Sequence, residues 1–176
     1  DDDGRREIYN KAALNEEKIL GLVELSNKYN CEFLISVFGT IGAKLIYELG
    51  QESIKIPSHE TTNLKLIDFC SKNFSQIYFS AGASLESEVL SALDVLKSGK
   101  ASFNLMHCVS SYPCPTEKTN LARIGWLASL SKEVGFSDHT KSTVIPALAV
   151  AYGASVIEKH FTTDNNLPGR DNENAL

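Results

Sequence analysis

GFSDHTKSTVIPALAVAYGASVIEKHFTTDNNLPGRD, residues 135–171, is the stretch that decides how this chain folds. It reads as strand, helix, strand. A histidine follows each strand core: His139 in Ser-Asp-His-Thr and His160 in Glu-Lys-His-Phe. Consecutive parallel strands joined by one helix end on the same edge of a sheet. Both imidazoles therefore belong at the carboxyl ends of neighbouring strands, where α/β folds place their chemistry. With Asp138 and Glu158 beside them, they suit a divalent transition metal that keeps positions open for substrate. One histidine at a strand end is more simply a hydrogen-bonded cap. Two on adjacent strands, each next to an acid, favour the metal.

The same alternation runs through the rest of the chain. Residues 15–29 form an amphipathic pattern with Asn15 as N-cap and Ile19, Leu22, Val23 and Leu25 on the apolar side. The apolar run EFLISVF, 32–38, predicts a strand buried on both faces. A helix over 40–49 stops at Gly50. Strands are expected over 53–57, 76–80, 103–109, 134–136 and 155–157, with helices over 63–73, 84–97, 120–132 and 143–152. Ser84 is expected to cap the helix over 84–97. The last helix is apolar nearly all round, which predicts deep burial. Six strands at regular βα spacing imply a parallel sheet. The repeat is that of an incomplete (β/α)8 barrel, since a closed one takes about 250 residues. No linker or composition break appears, so residues 1–176 read as one partial barrel domain.

Composition bounds the function. The chain has 176 residues, 43% hydrophobic and 22% charged, with a net charge of -5. That is globular composition without a broad nucleic-acid surface. No apolar run reaches the roughly 20 residues of a membrane span, and the acidic opening is unlike a signal peptide. The four cysteines, Cys31, Cys70, Cys108 and Cys114, include no CxxC pair. Reduced thiols in a cytoplasmic protein account for them. A zinc site of His107, Cys108 and Cys114 matches no common spacing.

Reading off the strand ends gives one rim: Ser36; Lys55, Ser58 and Glu60; Ser80 and Gly82; Ser110 and Tyr112; Ser137 and His139; Glu158 and His160. Hydroxyls, a lysine and accessible backbone amides suit a phosphate. Glu60, Glu158 and Asp171 suit sugar hydroxyls or acid-base work. Lys55 between two isoleucines admits a rival role as a Schiff-base lysine. Lys159 faces away from Glu158 and His160 and reads as structural or surface.

Five motifs carry a resemblance to a known family. They are Lys55-Ile56-Pro57-Ser58-His59-Glu60 with Asn63; Ser80-Ala81-Gly82; His107-Cys108-Val109-Ser110 with Tyr112-Pro113; Gly135-Phe136-Ser137-Asp138-His139-Thr140; and Gly153-Ala154 through Ile157-Glu158-Lys159-His160-Phe161-Thr162, closed by Pro168-Gly169-Arg170-Asp171. From about residue 15 onward the chain resembles the N-acetylneuraminate (sialic acid) synthases and their legionaminate, pseudaminate and spore-coat polysaccharide relatives. The resemblance implies a TIM-barrel transferase that condenses phosphoenolpyruvate (PEP) with an N-acetylated, N-acetylmannosamine-like hexosamine. The product is a nonulosonic (sialic-type) acid and phosphate is released. It implies Mn²⁺, with Mg²⁺ or Co²⁺ as alternatives, on His139 and His160. It implies PEP held by Lys55, Ser58, Ser80, Ser110 and Ser137, the sugar faced by Glu60, Tyr112 and Asp171, and Glu158 near the reacting carbons. Lys55, Glu60 and Glu158 are thus the implied catalytic set.

The loop at 166–171 resembles the neuraminate branch. Departures from the family pattern at His59, Ala81, Ala83 and Asn172 bear on sugar preference. The family's first two strands, with a Glu and a Lys of the site, find no counterpart here. Neither does its C-terminal antifreeze-like domain, which completes a homodimer's active site. The chain alone is therefore expected to be an unclosed, inactive barrel piece of a cytoplasmic homodimer. Two alternatives remain: a lysine aldolase of the same barrel class, and a non-catalytic sugar-phosphate-binding or interaction module.

Overall fold

The computed structural model describes residues 5–167 and 171–176. The described residues of Asp1–Leu34 form one compact unit and those of Ile35–Leu176 another. The first holds helices α1 (Arg5–Ala12) and α2 (Glu16–Lys28). Asn15 caps α2 as expected, its Oδ1 accepting from the Lys18 N–H at 3.0 Å. Of the apolar side anticipated for α2, only Ile19 is buried.

The second unit contains helix α3 (Thr40–Glu48) and then strictly alternates: β1 (Ser53–Ile56), α4 (Leu64–Asn73), β2 (Gln76–Ser80), α5 (Glu86–Ser98), β3 (Ser102–Cys108), α6 (Ala122–Ala128), β4 (Val134–Asp138), α7 (Val144–Ala151) and β5 (Val156–Lys159). The five strands are all parallel and lie in the order β1-β2-β3-β4-β5. Sequential order with no reversal is the connectivity of a barrel; a doubly wound sheet has a switch point. The fold is an α/β half-barrel.

Curvature follows from one contact. At about 4.8 Å per strand, β1 and β5 of a flat sheet would stand about 19 Å apart. Yet the Lys55 Nζ on β1 reaches Glu158 Oε1 on β5 at 2.6 Å. That span exceeds the combined reach of the two side chains, so the sheet is curled with both residues on its concave face.

The sixth expected strand is reduced to a bridge. Ser36 pairs with Lys55 in parallel, through Val37 N–H to Lys55 O and Lys55 N–H to Ile35 O, each 3.0 Å. Register then sorts side chains between faces, because neighbours in register point the same way. Ile54, Ile56, Ile77, Phe79, Leu105 and Phe136 face the helices and are almost fully buried. Leu66 and Ile67 of α4, Val89 and Leu96 of α5 and Ile124 of α6 join them. Each such side chain contributes roughly 1.5–3 kcal/mol. The concave face instead carries Lys55, Ser80, Cys108, Ser137 and Glu158.

Three further expectations are corrected. The helix anticipated over 120–132 shortens to α6: at its start Asn120 adopts a left-handed φ of 46° and stays outside, and at its end Ser129 is the C-cap after Ala128. Leu85, not Ser84, caps α5; the Glu88 carboxylate accepts from the Leu85 N–H at 2.8 Å, while the Ser84 hydroxyl turns back to Gly82 O. The apolar α7 buries only Ile145 and Ala149. Val144, Leu148 and Val150 stay exposed, because β4 and β5 cover one side only of this outer helix.

Candidate active site

The concave row is built by register. Cys108 lies opposite Ser137, and Ser137 opposite Glu158, so three strand ends present their side chains side by side. Lys55 is buried in the adjoining layer and grips Glu158 through both carboxylate oxygens. Ser58 sits in the single 3-10 turn that follows β1, and its Oγ accepts from the Gly82 N–H at 3.0 Å. That approach requires glycine. A Cβ at residue 82 would stand 2.8 Å from both Ser58 Oγ and Cys108 O.

Ser80 is 1% exposed, and its Oγ has no hydrogen-bond partner. An orphaned buried hydroxyl on the face that carries Lys55 marks a place where a ligand or water completes the bonding. Cys108, set aside in the sequence as part of an apolar strand, is a member of this group. Burial pushes its thiol up, while the hydroxyls of Ser58, Ser110 and Ser137 and the charge of Lys55 pull the other way. Period-2 alternation from Met106 was the signal that placed it there.

His139 is buried, and its Nδ1 lies 2.8 Å from Val109 O. The carbonyl can only accept, so Nδ1 carries the proton and Nε2 is left as a ligand atom. His160 lies alongside, ring centroids 5.4 Å apart. Burial pushes both imidazoles below the usual histidine range, and His139 pushes His160 further down. Neutral imidazoles are the form that binds metal. The Tyr112 ring lies 3.9 Å from that of His139 and meets His160 edge-on at 5.6 Å. Among the described residues, no cluster of three or more His, Cys, Asp or Glu is arranged to hold a metal ion. The pair offers two ligands, with its other positions open to water or substrate.

Asp138 is not part of the site. It is in register with Lys159 and faces the other side of the sheet. Its Oδ2 accepts from Lys159 Nζ at 2.6 Å, and its Oδ1 from the Thr140 N–H at 2.8 Å. Alternation between Asp138 and its neighbours Ser137 and His139 forces this division. Lys159 is accordingly a half-buried strut, with a further bond to Thr140 O at 2.6 Å.

Glu60 closes the 3-10 turn and accepts from Asn63 Nδ2 at 2.6 Å; Asn63 also caps α4 through Leu66 N–H. Ser110 is exposed and lines a cleft of about 520 Å³ with Lys118 and Arg123. Asp171 comes near His160 because the chain folds back: Thr162 N–H bonds Leu176 O and Leu176 N–H bonds His160 O. The Asp171 charge bears on His160, opposing the effect of burial. Asn172 donates to Leu167 O at 3.0 Å, bracing this loop. Pro168, Gly169 and Arg170 of the closing motif lie outside the described residues.

The model of the NeuB family matches residues 2–176. The chain belongs to the NeuB family. It is 37% identical over 179 residues to the N,N'-diacetyllegionaminic acid synthase of Campylobacter jejuni, covering 99% of this chain and 54% of that protein. The solved N-acetylneuraminic acid (sialic acid) synthetase of Leptospira borgpetersenii, in complex with citrate, superposes with a TM-score of 0.90 at 37% identity. That match covers 94% of this chain and 58% of the other. A truncated 3-deoxy-D-arabino-heptulosonate 7-phosphate synthase of Thermotoga maritima has the same fold at 18% identity, with a TM-score of 0.78 over 93% of this chain and 66% of its own. The chain spans about half the length of the curated relatives it matches. No described helix is long and apolar enough to cross a membrane.

Proposed function

We propose that this chain is the active-site half of a nonulosonic acid synthase, which joins PEP to an N-acetylated amino sugar and releases phosphate. The observation that carries this reading is the concave face itself. A buried lysine, an unpartnered buried serine and two neutral histidines meet there in a NeuB-family chain.

Lys55 and the hydroxyls of Ser58, Ser80, Ser110 and Ser137 would hold the phosphate and carboxylate of PEP, as charge-assisted donors in a fixed frame. Tyr112, Glu60 and Asp171 would face the open-chain sugar. The PEP methylene carbon bonds to the aldehyde carbon, water adds at the adjoining carbon, and the C–O bond to phosphate breaks. Glu158, relieved of Lys55 once phosphate takes that cation, would move the proton of the attacking water. His139 and His160 would hold the divalent metal, Mn²⁺ by family likeness; when bound, it supplies Lewis-acid polarisation of the aldehyde oxygen.

The Schiff-base reading of Lys55 finds less support, because the amine sits in an ion pair and not in the apolar pocket that activates such lysines. The test uses the purified protein that carries this chain. Phosphate release from PEP is followed with N-acetylmannosamine and with the legionaminate and pseudaminate precursors. Release with the first or second, lost in His139→Ala and in His160→Ala, is expected. Full activity in chelating buffer, or a borohydride-trapped pyruvate adduct on Lys55, would overturn the proposal.

A further inference from the structure

On the helix-facing side of β3 the residues alternate Phe103, Leu105, His107, so an imidazole stands where the pattern calls for an apolar side chain. His107 is 1% exposed, and its ring stacks on that of its register partner Phe136, centroids 5.6 Å apart and 26° between planes. Its Nε2 lies 2.6 Å from Thr119 O, and its Nδ1 is buried without a partner. The acceptor carbonyl assigns the proton to Nε2. A buried nitrogen without a partner costs stability. An apolar residue would fill this place more cheaply, so the bond to Thr119 serves something besides the core.

What it holds is the far end of a strap. Residues 109–119 leave β3, carry Tyr112 against the histidine pair and return to α6. The strap is pinned at its start by His139 Nδ1–H to Val109 O at 2.8 Å, and in its middle by Cys114 N–H to His139 O at 2.9 Å. Its end is pinned by His107 Nε2–H to Thr119 O. Thr119 is itself buried, and its Oγ1 donates to Thr116 O at 2.9 Å. Two of the three pins come from His139, so the start and middle of the strap are tied to that residue. The third is set independently, by β3.

We infer that His107 is a positioning residue: by anchoring Thr119 it fixes the strap that seats Tyr112 against His139 and His160, and so controls binding of the acceptor sugar. The inference rests on the proposed role of Tyr112 at the sugar.

The test compares His107→Gln with His107→Asn in the protein that carries this chain. A glutamine Nε2 amide occupies the place of the imidazole Nε2; an asparagine amide falls short. His107→Asn is expected to raise the KM for the acceptor at least tenfold, leave the KM for PEP within twofold, and speed hydrogen exchange at Cys114 about tenfold. His107→Gln should stay near wild type in all three. Unchanged protection at Cys114 in a folded His107→Asn, or failure of His107→Gln equal to that of His107→Asn, would overturn the clamp. Faster exchange with an unchanged acceptor KM would support the clamp and count against the reading of Tyr112.

Discussion

Lys55 and Glu158 are ion-paired across the concave face, although their strands form the two edges of the five-stranded ladder. The pair therefore closes the half-barrel laterally as well as occupying its candidate active site. The lysine side chain is 11% exposed and the carboxylate 41%. Glu158→Gln leaves a buried ammonium facing a neutral amide and should cost about 1–3 kcal/mol, below the fully buried case because water reaches Glu158. Lys55→Met leaves the half-exposed carboxylate and should cost less. The double variant should lose less than the two single losses combined. Urea unfolding midpoints check the ordering; strict additivity would show that the pair is not coupled.

Ser80→Ala separates stability from binding. It removes a buried hydroxyl with no partner, so unfolding free energy should hold or rise by up to about 1 kcal/mol. If the hydroxyl meets PEP, affinity for PEP should fall by about tenfold, the worth of one good hydrogen bond to a charged group. Calorimetric titration with PEP, beside a thermal melt, reads both. A variant that loses stability without losing affinity would make Ser80 a structural residue.

Three glycines order themselves by the space around them. A Cβ on Gly135 would meet Val156 O at 2.8 Å and Met106 Cε at 3.2 Å, and one on Gly82 would meet Cys108 O at 2.8 Å. Gly135→Ala and Gly82→Ala should each cost about 1–3 kcal/mol. Gly125, within α6, has nothing within 4 Å, so Gly125→Ala should stabilise by roughly 0.5–1 kcal/mol. Chemical denaturation of the three variants tests the ranking.

Acid should unfold this protein early, and His107 is one cause. Burial is the largest influence on its imidazole and pushes it below the usual histidine range. The unfolded chain then binds a proton that the folded one refuses, so stability falls as pH drops below about 6.5 and through the lowered folded value. His139 and His160 act in the same direction. His107→Gln removes one of these three groups and should flatten the decline between about pH 6.5 and 5. Melting temperature against pH in both proteins would show it; parallel curves would mean that His107 does not titrate in this window.

Much of this site was legible in the one-dimensional pattern. Alternating βα spacing over residues 53–159 and two histidines after consecutive strands determined a parallel sheet with imidazoles on one edge, because strand direction and side-chain alternation are local properties of the backbone. The left-handed turn at Asn120 was not legible, because asparagine tolerates a positive φ but also stands in helices and caps, and only the path of the chain into α6 selects one. Tertiary structure alone decided that Asp138 turns to Lys159 while Glu158 takes Lys55. Each acid has a lysine within reach of sequence logic, but only register and the curl of the sheet determine which side of it each carboxylate meets. The same holds for Cys108 among its serines and for His107 beneath its strap. Apart from Ser110, their partners are 12 or more residues distant and come together only when the strands curl and the loops close over their ends.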